Sequence, residues 1–118
     1  MRTVAELLAA RCRPLEGRPA MSREQVMSQL AVLPQWQLVD GEISRTFGFA
    51  DYAATIAFVN ALASMVQRED HHPDLLVGYN RCEVRFTTHS VGGVSGNDFI
   101  CAAKADAIFE QRYGGATA

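Results

Sequence analysis

A chain of 118 residues with 48% apolar and 20% charged residues has the balance of a single globular domain, which excludes a disordered or fibrous protein. The net charge of −2, with eleven Lys and Arg spread out and no basic run, gives no footprint for direct nucleic acid binding or for an anionic membrane. Cys12, Cys82 and Cys101 are odd in number and far apart, and read as reduced thiols of a cytoplasmic protein rather than a disulfide framework.

Residues 1–20 read as an N-terminal extension lying over the domain or partly mobile. Val4, Leu7 and Leu8 give a short helical pattern, and Arg11-Cys12-Arg13-Pro14, Gly17 and Pro19 then turn irregular. The apolar run is interrupted by Glu6 and ends at Arg11, too short and too polar for a signal peptide or a membrane span. Residues 21–118 read as one domain. Ser22-Arg23-Glu24-Gln25 fits a capping box, with Val26, Met27 and Leu30 on one face of a helix that ends near Pro34.

Trp36–Val39 and Ile43–Phe49 are strand candidates around Asp40-Gly41, a hairpin signal. In the second, Ile43, Arg45, Phe47 and Phe49 share a face that only Arg45 spoils. Asp51 can cap the longest helix, Tyr52 to about Glu69, whose stripe is Tyr52, Ile56, Val59, Ala63 and Val66, widened by Phe58 and Leu62. Pro73 disfavours helix at the residue before it, so His71-His72 marks the helix exit. Leu75–Tyr79 and Arg81–Thr88 form a second hairpin, with Cys82, Val84, Phe86 and Thr88 facing one way and Arg81, Glu83, Arg85 and Thr87 the other. Gly92-Gly93 breaks the chain. Ser95-Gly96-Asn97-Asp98 offers a cap, and a last helix runs from Phe99 to about Tyr113, before Gly114-Gly115.

The order α-β-β-α-β-β-α predicts a two-layer α+β fold, a four-stranded antiparallel sheet with three helices packed on one face. The open face and a free strand edge in so small a chain predict self-association.

All three histidines fall within residues 71–89. Histidine exchanges protons near neutrality, and the topology brings the helix exit beside the loop after the last strand. The expected site is a cleft walled by His71, His72 and His89, with Asp70 and residues 87–90 nearby. It suits concerted acid–base chemistry, with one imidazolium donating a proton and a neutral imidazole accepting another. Asp70 could orient one ring. Three histidines could instead hold zinc, but HxH and HxxxH spacings are absent. Ser90 beside His89 has no nucleophile-elbow context. Ordinary surface histidines are the bland alternative.

At these residues the sequence resembles the pterin-4a-carbinolamine dehydratase (4a-hydroxytetrahydrobiopterin dehydratase) family. The pattern is His71-His72-Pro73, Tyr79, Thr88-His89 and Asp98 in register. Leu33-Pro34-Gln35-Trp36, Arg45-Thr46-Phe47-Gly48-Phe49 and Phe58 also fall where the family has its aromatic motifs. Cys12-Arg13-Pro14 through Met21-Ser22 is similar to an N-terminal segment of bacterial members. Two positions depart: Gln67 stands where glutamate is usual, and Leu75 where tryptophan is frequent. Both bear on affinity and proton tuning rather than on the reaction.

The resemblance implies a lyase that dehydrates a 4a-hydroxytetrahydropterin to the quinonoid dihydropterin, with no metal or cofactor. It also implies recycling of pterin for an aromatic amino acid hydroxylase, in a homodimer or homotetramer. It implies catalysis by His71, His72 and His89, and pterin contacts from Asp70, Thr87, Thr88, Ser90 and the histidines. Asp98 is read as a supporting helix cap. The family also includes protein-binding, assembly and coactivator modules, which leaves a non-catalytic role as the alternative; retention of all three histidines favours the enzyme.

Overall fold

The structure, a computed structural model, describes residues 1–113. The Gly114-Gly115 stop signal lies outside the described residues. Two short helices come first, α1 (Val4–Ala9) and α2 (Arg23–Leu30), each opened by a capping box, Thr3 with Glu6 and Ser22 with Gln25. Of the predicted α2 face, Val26 and Leu30 turn inward. Met27 is exposed, and Gln29 is buried in its stead. Gln29 is buried because it is paired: its Oε1 accepts from the Arg2 backbone N–H at 3.1 Å, and its Nε2 donates to the Arg2 carbonyl at 2.8 Å.

Strands β1 (Gln37–Val39), β2 (Glu42–Gly48), β3 (Asp74–Val77) and β4 (Arg81–Phe86) form one antiparallel sheet in the order β1-β2-β4-β3. The β1–β2 turn places Asp40 and Gly41 at φ 52° and 77°, the left-handed pair that an Asp-Gly hairpin accommodates. Ile43 lies opposite Phe86, and Phe47 opposite Cys82. That register buries Ile43, Phe47, Cys82, Val84 and Phe86 on one face, a set that a one-residue slip would expose. Helices α3 (Tyr52–Glu69) and α4 (Gly96–Tyr113) pack on this face, giving the expected two-layer α+β architecture. Among the described residues no helix is long and apolar enough to cross a membrane.

Arg45 does sit on the core face, and α4 explains how. Its Nη1 donates to Asp106 Oδ1 at 2.7 Å, and Trp36 Nε1 donates to the same oxygen at 2.9 Å. The guanidinium stacks over Phe47, 4.2 Å from the ring centroid. Burial pushes the Asp106 carboxyl up, and the hydrogen bonds from Trp36 and the Arg45 charge oppose it. Arg45→Leu would strand that carboxylate, at a cost of about 3 kcal/mol. Urea unfolding of Arg45→Leu against Arg45→Leu/Asp106→Leu checks this, because the double variant should recover much of the loss.

Three local expectations shift. The buried face of α3 is Thr55, Phe58, Leu62, Met65, Val66 and Glu69, whereas Tyr52 and Ala63 are exposed. The bulky Phe58 and Leu62 set the facing, and Glu69 is drawn in by Lys104 of α4 at 2.6 Å. β3 stops at Val77 because the Gly78 N–H closes a turn on the Arg81 carbonyl. β4 ends at Phe86 rather than Thr88: Thr88 bridges to Gly93 and a 3-10 turn, His89–Val91, begins.

The uncovered sheet face is polar. Arg85 spans Glu83 (2.9 Å) and Glu42 (3.4 Å), and Ser44 donates to Glu83. Within the sheet, apolar exposure is confined to edge strand β3, where Leu76, 61% exposed, lies on this same face opposite Glu83, and Leu75 and Val77 are exposed on the other side.

Candidate active site

His71 follows the α3 exit directly. Asp70 ends the helix in the left-handed region (φ 52°, ψ 43°), and the His71 N–H returns to the Val66 carbonyl at 3.3 Å. The His71 ring lies nearly parallel to Phe86, with centroids 6.0 Å apart and planes 9° apart. Its Nε2 meets Asp98 Oδ1 at 2.5 Å. A carboxylate only accepts, so Nε2 carries the hydrogen and Nδ1 is the ring nitrogen left as an acceptor.

Asp98 is fully buried in the first turn of α4. Its second oxygen accepts from Thr88 Oγ1 and from the Ser95 N–H, both at 2.8 Å. Because Thr88 donates to Asp98, the 2.7 Å contact between Thr88 and Ser95 hydroxyls has Ser95 as donor, and Ser95 Oγ accepts in turn from the Asn97 N–H. Asp98 therefore caps its helix and orients His71 with one carboxylate. Asp70 makes no hydrogen bond to a histidine; Asp98 is the residue that fixes a ring.

Asp70, His71, Thr88 and Ser90 line a pocket of about 190 Å³, beside Glu69 and Asn97. It is smaller than the roughly 300–1,000 Å³ typical for drug-sized ligands. His72 and His89 are exposed and do not line this pocket, although Thr88 and Ser90, which flank His89, do. Thr87 turns to the other side of the strand, and its hydroxyl donates to the Gly41 carbonyl at 3.3 Å. Strand alternation sends its side chain away from Thr88. Among the described residues no three His, Cys, Asp or Glu side chains converge on one metal position.

The opposite wall is N-terminal: Cys12, Arg13, Pro14, Leu15 and Glu16. Sequence reasoning did not place these residues in the site. Two buried side chains hold them. Glu69 Oε1 accepts from the Cys12 N–H at 2.8 Å, while Asn97 Oδ1 accepts from the Arg13 N–H (3.2 Å) and its Nδ2 donates to the Arg13 carbonyl (2.7 Å). Arg11 and Lys104 also bind the Glu69 carboxylate, at 3.0 and 2.6 Å. Burial pushes this carboxyl up, but the Lys104 and Cys12 hydrogen bonds and the Lys104 charge overcome it and bring it down to about 2. The one available signal was the N-terminal resemblance itself, because pairings across 57 and 84 residues leave no local pattern.

The fold thus places a carboxylate-oriented histidine in the wall of a small pocket of an α+β domain. Residues 19–108 match the family model described as pterin 4 alpha carbinolamine dehydratase. The chain belongs to the pterin-4a-carbinolamine dehydratase family. It is 51% identical over 110 residues to a protein of Nitrosomonas eutropha named "Putative pterin-4-alpha-carbinolamine dehydratase", covering 92% of this chain and 97% of that one. A protein of the same name from Stenotrophomonas maltophilia is 53% identical over 114 residues, covering 94% and 98%. A solved structure from Brucella melitensis, described as a transcriptional coactivator/pterin dehydratase, matches with a TM-score of 0.72 and 34% identity, over 75% of this chain and 97% of that one. A pterin dehydratase-like protein described as a RuBisCO assembly factor in the alpha-carboxysome matches less closely, with a TM-score of 0.52 and 26% identity, over 62% and 84%.

Proposed function

We propose that this protein dehydrates 4a-hydroxytetrahydrobiopterin, or a closely related 4a-hydroxytetrahydropterin, to the quinonoid dihydropterin and water. The observation that carries this reading is His71, locked by Asp98 in the wall of a small pocket, within a family of this name. The reaction breaks the C4a–O bond. An acid protonates the departing 4a-hydroxyl, the N5 electron pair forms the C4a=N5 double bond, and a base removes the N5 hydrogen. His71, His72 and His89 supply acid and base between them: the free Nδ1 of His71 is one proton-exchange position, and His72 and His89, outside the pocket lining, directly adjoin its residues His71, Thr88 and Ser90 in the chain. Asp70, Thr88, Ser90 and the backbone at Thr87 hold the pterin's amide-like edge. No metal or redox cofactor is needed for this elimination.

Such an activity releases the quinonoid dihydropterin for reduction back to the tetrahydropterin that an aromatic amino acid hydroxylase uses in the cytoplasm. The exposed apolar edge at Leu75–Val77 supports assembly into a homodimer or homotetramer. That edge also supports the second reading, a non-catalytic assembly or coactivator module, given the descriptions of the two structural relatives.

Stopped-flow dehydration of enzymatically generated 4a-carbinolamine tests the proposal. Wild type should exceed the buffer rate, and His71→Ala, His72→Ala and His89→Ala should each lose about 10²–10⁴-fold. A wild-type rate equal to buffer overturns the dehydratase reading, and full activity in a variant removes that histidine from the machinery.

A further inference from the structure

Residues 1–23 carry five arginines against two glutamates, in a chain whose net charge is −2. In sequence the cationic residues look scattered; the fold gathers four of them. Arg2, Arg11, Arg13 and Arg18 rim a second hollow of about 190 Å³ against Asn97 and Ile100 of α4. Their backbone is fixed at three places, by Gln29 on Arg2, Glu69 on Cys12 and Asn97 on Arg13. Arg11 is paired with Glu69, whereas Arg2, Arg13 and Arg18 form no ion pair among the described residues. Arg2, Arg13 and Arg18, exposed and without such a pair, give the hollow a net positive rim that draws in an anion. Guanidinium forks match phosphate and carboxylate oxygens in pairs.

The hollow adjoins the histidine pocket, because Arg13, Leu15 and Asn97 line both. A ring system beside His71 therefore shares the Arg13, Leu15 and Asn97 wall with the cationic hollow. We propose that this hollow is a subsite for an anionic terminus, phosphate or carboxylate, at the far end of the substrate's side chain. It sets a preference among pterins, and it rests on the pterin reading of the neighbouring pocket.

Calorimetric titration with 7,8-dihydropterins, which lack the 4a-hydroxyl and are not dehydrated, tests the subsite. The probes are neutral 7,8-dihydroneopterin, its side-chain phosphate ester, and 7,8-dihydrofolate as the carboxylate form. The proteins are wild type and Arg2→Ser/Arg18→Ser, whose changes lie in the hollow and outside the histidine pocket. Wild type should bind at least one anionic probe about tenfold more tightly than the neutral one at low salt. In the double variant the advantage should fall to about twofold, with the neutral probe bound as by wild type. Whichever anionic arm shows the advantage identifies the source of the charge. Equal binding of all three probes by wild type overturns the subsite alone, as does an anionic advantage that survives in the double variant. If wild type binds none of them, the pterin reading fails and the subsite fails with it.

Discussion

Asp98→Asn is expected to slow the proposed pterin dehydration by about 10²-fold or more while leaving the backbone fold in place. The carboxylate accepts three hydrogen bonds, from His71 Nε2, Thr88 Oγ1 and the Ser95 N–H. An asparagine side chain has one acceptor oxygen and an NH₂ group, so it must oppose a donor to at least one of those three. If the NH₂ faces His71, the imidazole favours the other tautomer, and Nδ1 carries the hydrogen and cannot accept a proton in the proposed reaction. ¹⁵N shifts of the His71 ring give the readout that a purely structural role would not move: Nε2–H in wild type, a changed tautomer in the variant. Stability should fall by about 1–3 kcal/mol in urea at fixed protein concentration, the cost of a mispaired buried group. Wild-type activity with an unchanged ring tautomer would remove Asp98 from the mechanism.

The Glu69→Gln variant should lose about 3 kcal/mol at pH 7 and expose the N-terminal wall of the pocket. In the folded protein this carboxyl ionises at about 2, against an ordinary 4.5, and the difference corresponds to about that energy. A depressed carboxyl stabilises the fold fully above about 4.5, and the contribution drains away as pH falls toward 2. The stability gap between wild type and variant should therefore narrow by about 1 kcal/mol between pH 7 and pH 3.5. Hydrogen exchange at the Cys12 amide should accelerate, because that N–H loses its ionised acceptor. A gap that stays constant with pH would show that Glu69 acts through packing rather than charge.

Much of the fold was legible because its signals are local. Asp40-Gly41, the Asp51 cap of α3, the alternation of Cys82, Val84 and Phe86, and the Ser22–Gln25 box each depend on neighbours within a few residues. The facing of α3 was less legible, since an apolar stripe broadened by Phe58 and Leu62 permits more than one rotation. Glu69 chose among them by pairing across the interface with Lys104. Arg45 looked like a flaw in β2 until α4 brought Asp106 to it.

The candidate site divides along the same line. The α+β order, the window of three histidines and the capping role of Asp98 were readable from the residues alone, because periodicity, turn chemistry and motif spacing are all written locally. The tertiary structure decided that Asp98 rather than Asp70 grips His71, that Thr87 faces away, and that Cys12–Glu16 close the pocket with arginines behind them. Those outcomes depend on which distant backbone groups a buried carboxylate or amide must satisfy, and only the folded chain brings such partners within hydrogen-bond distance.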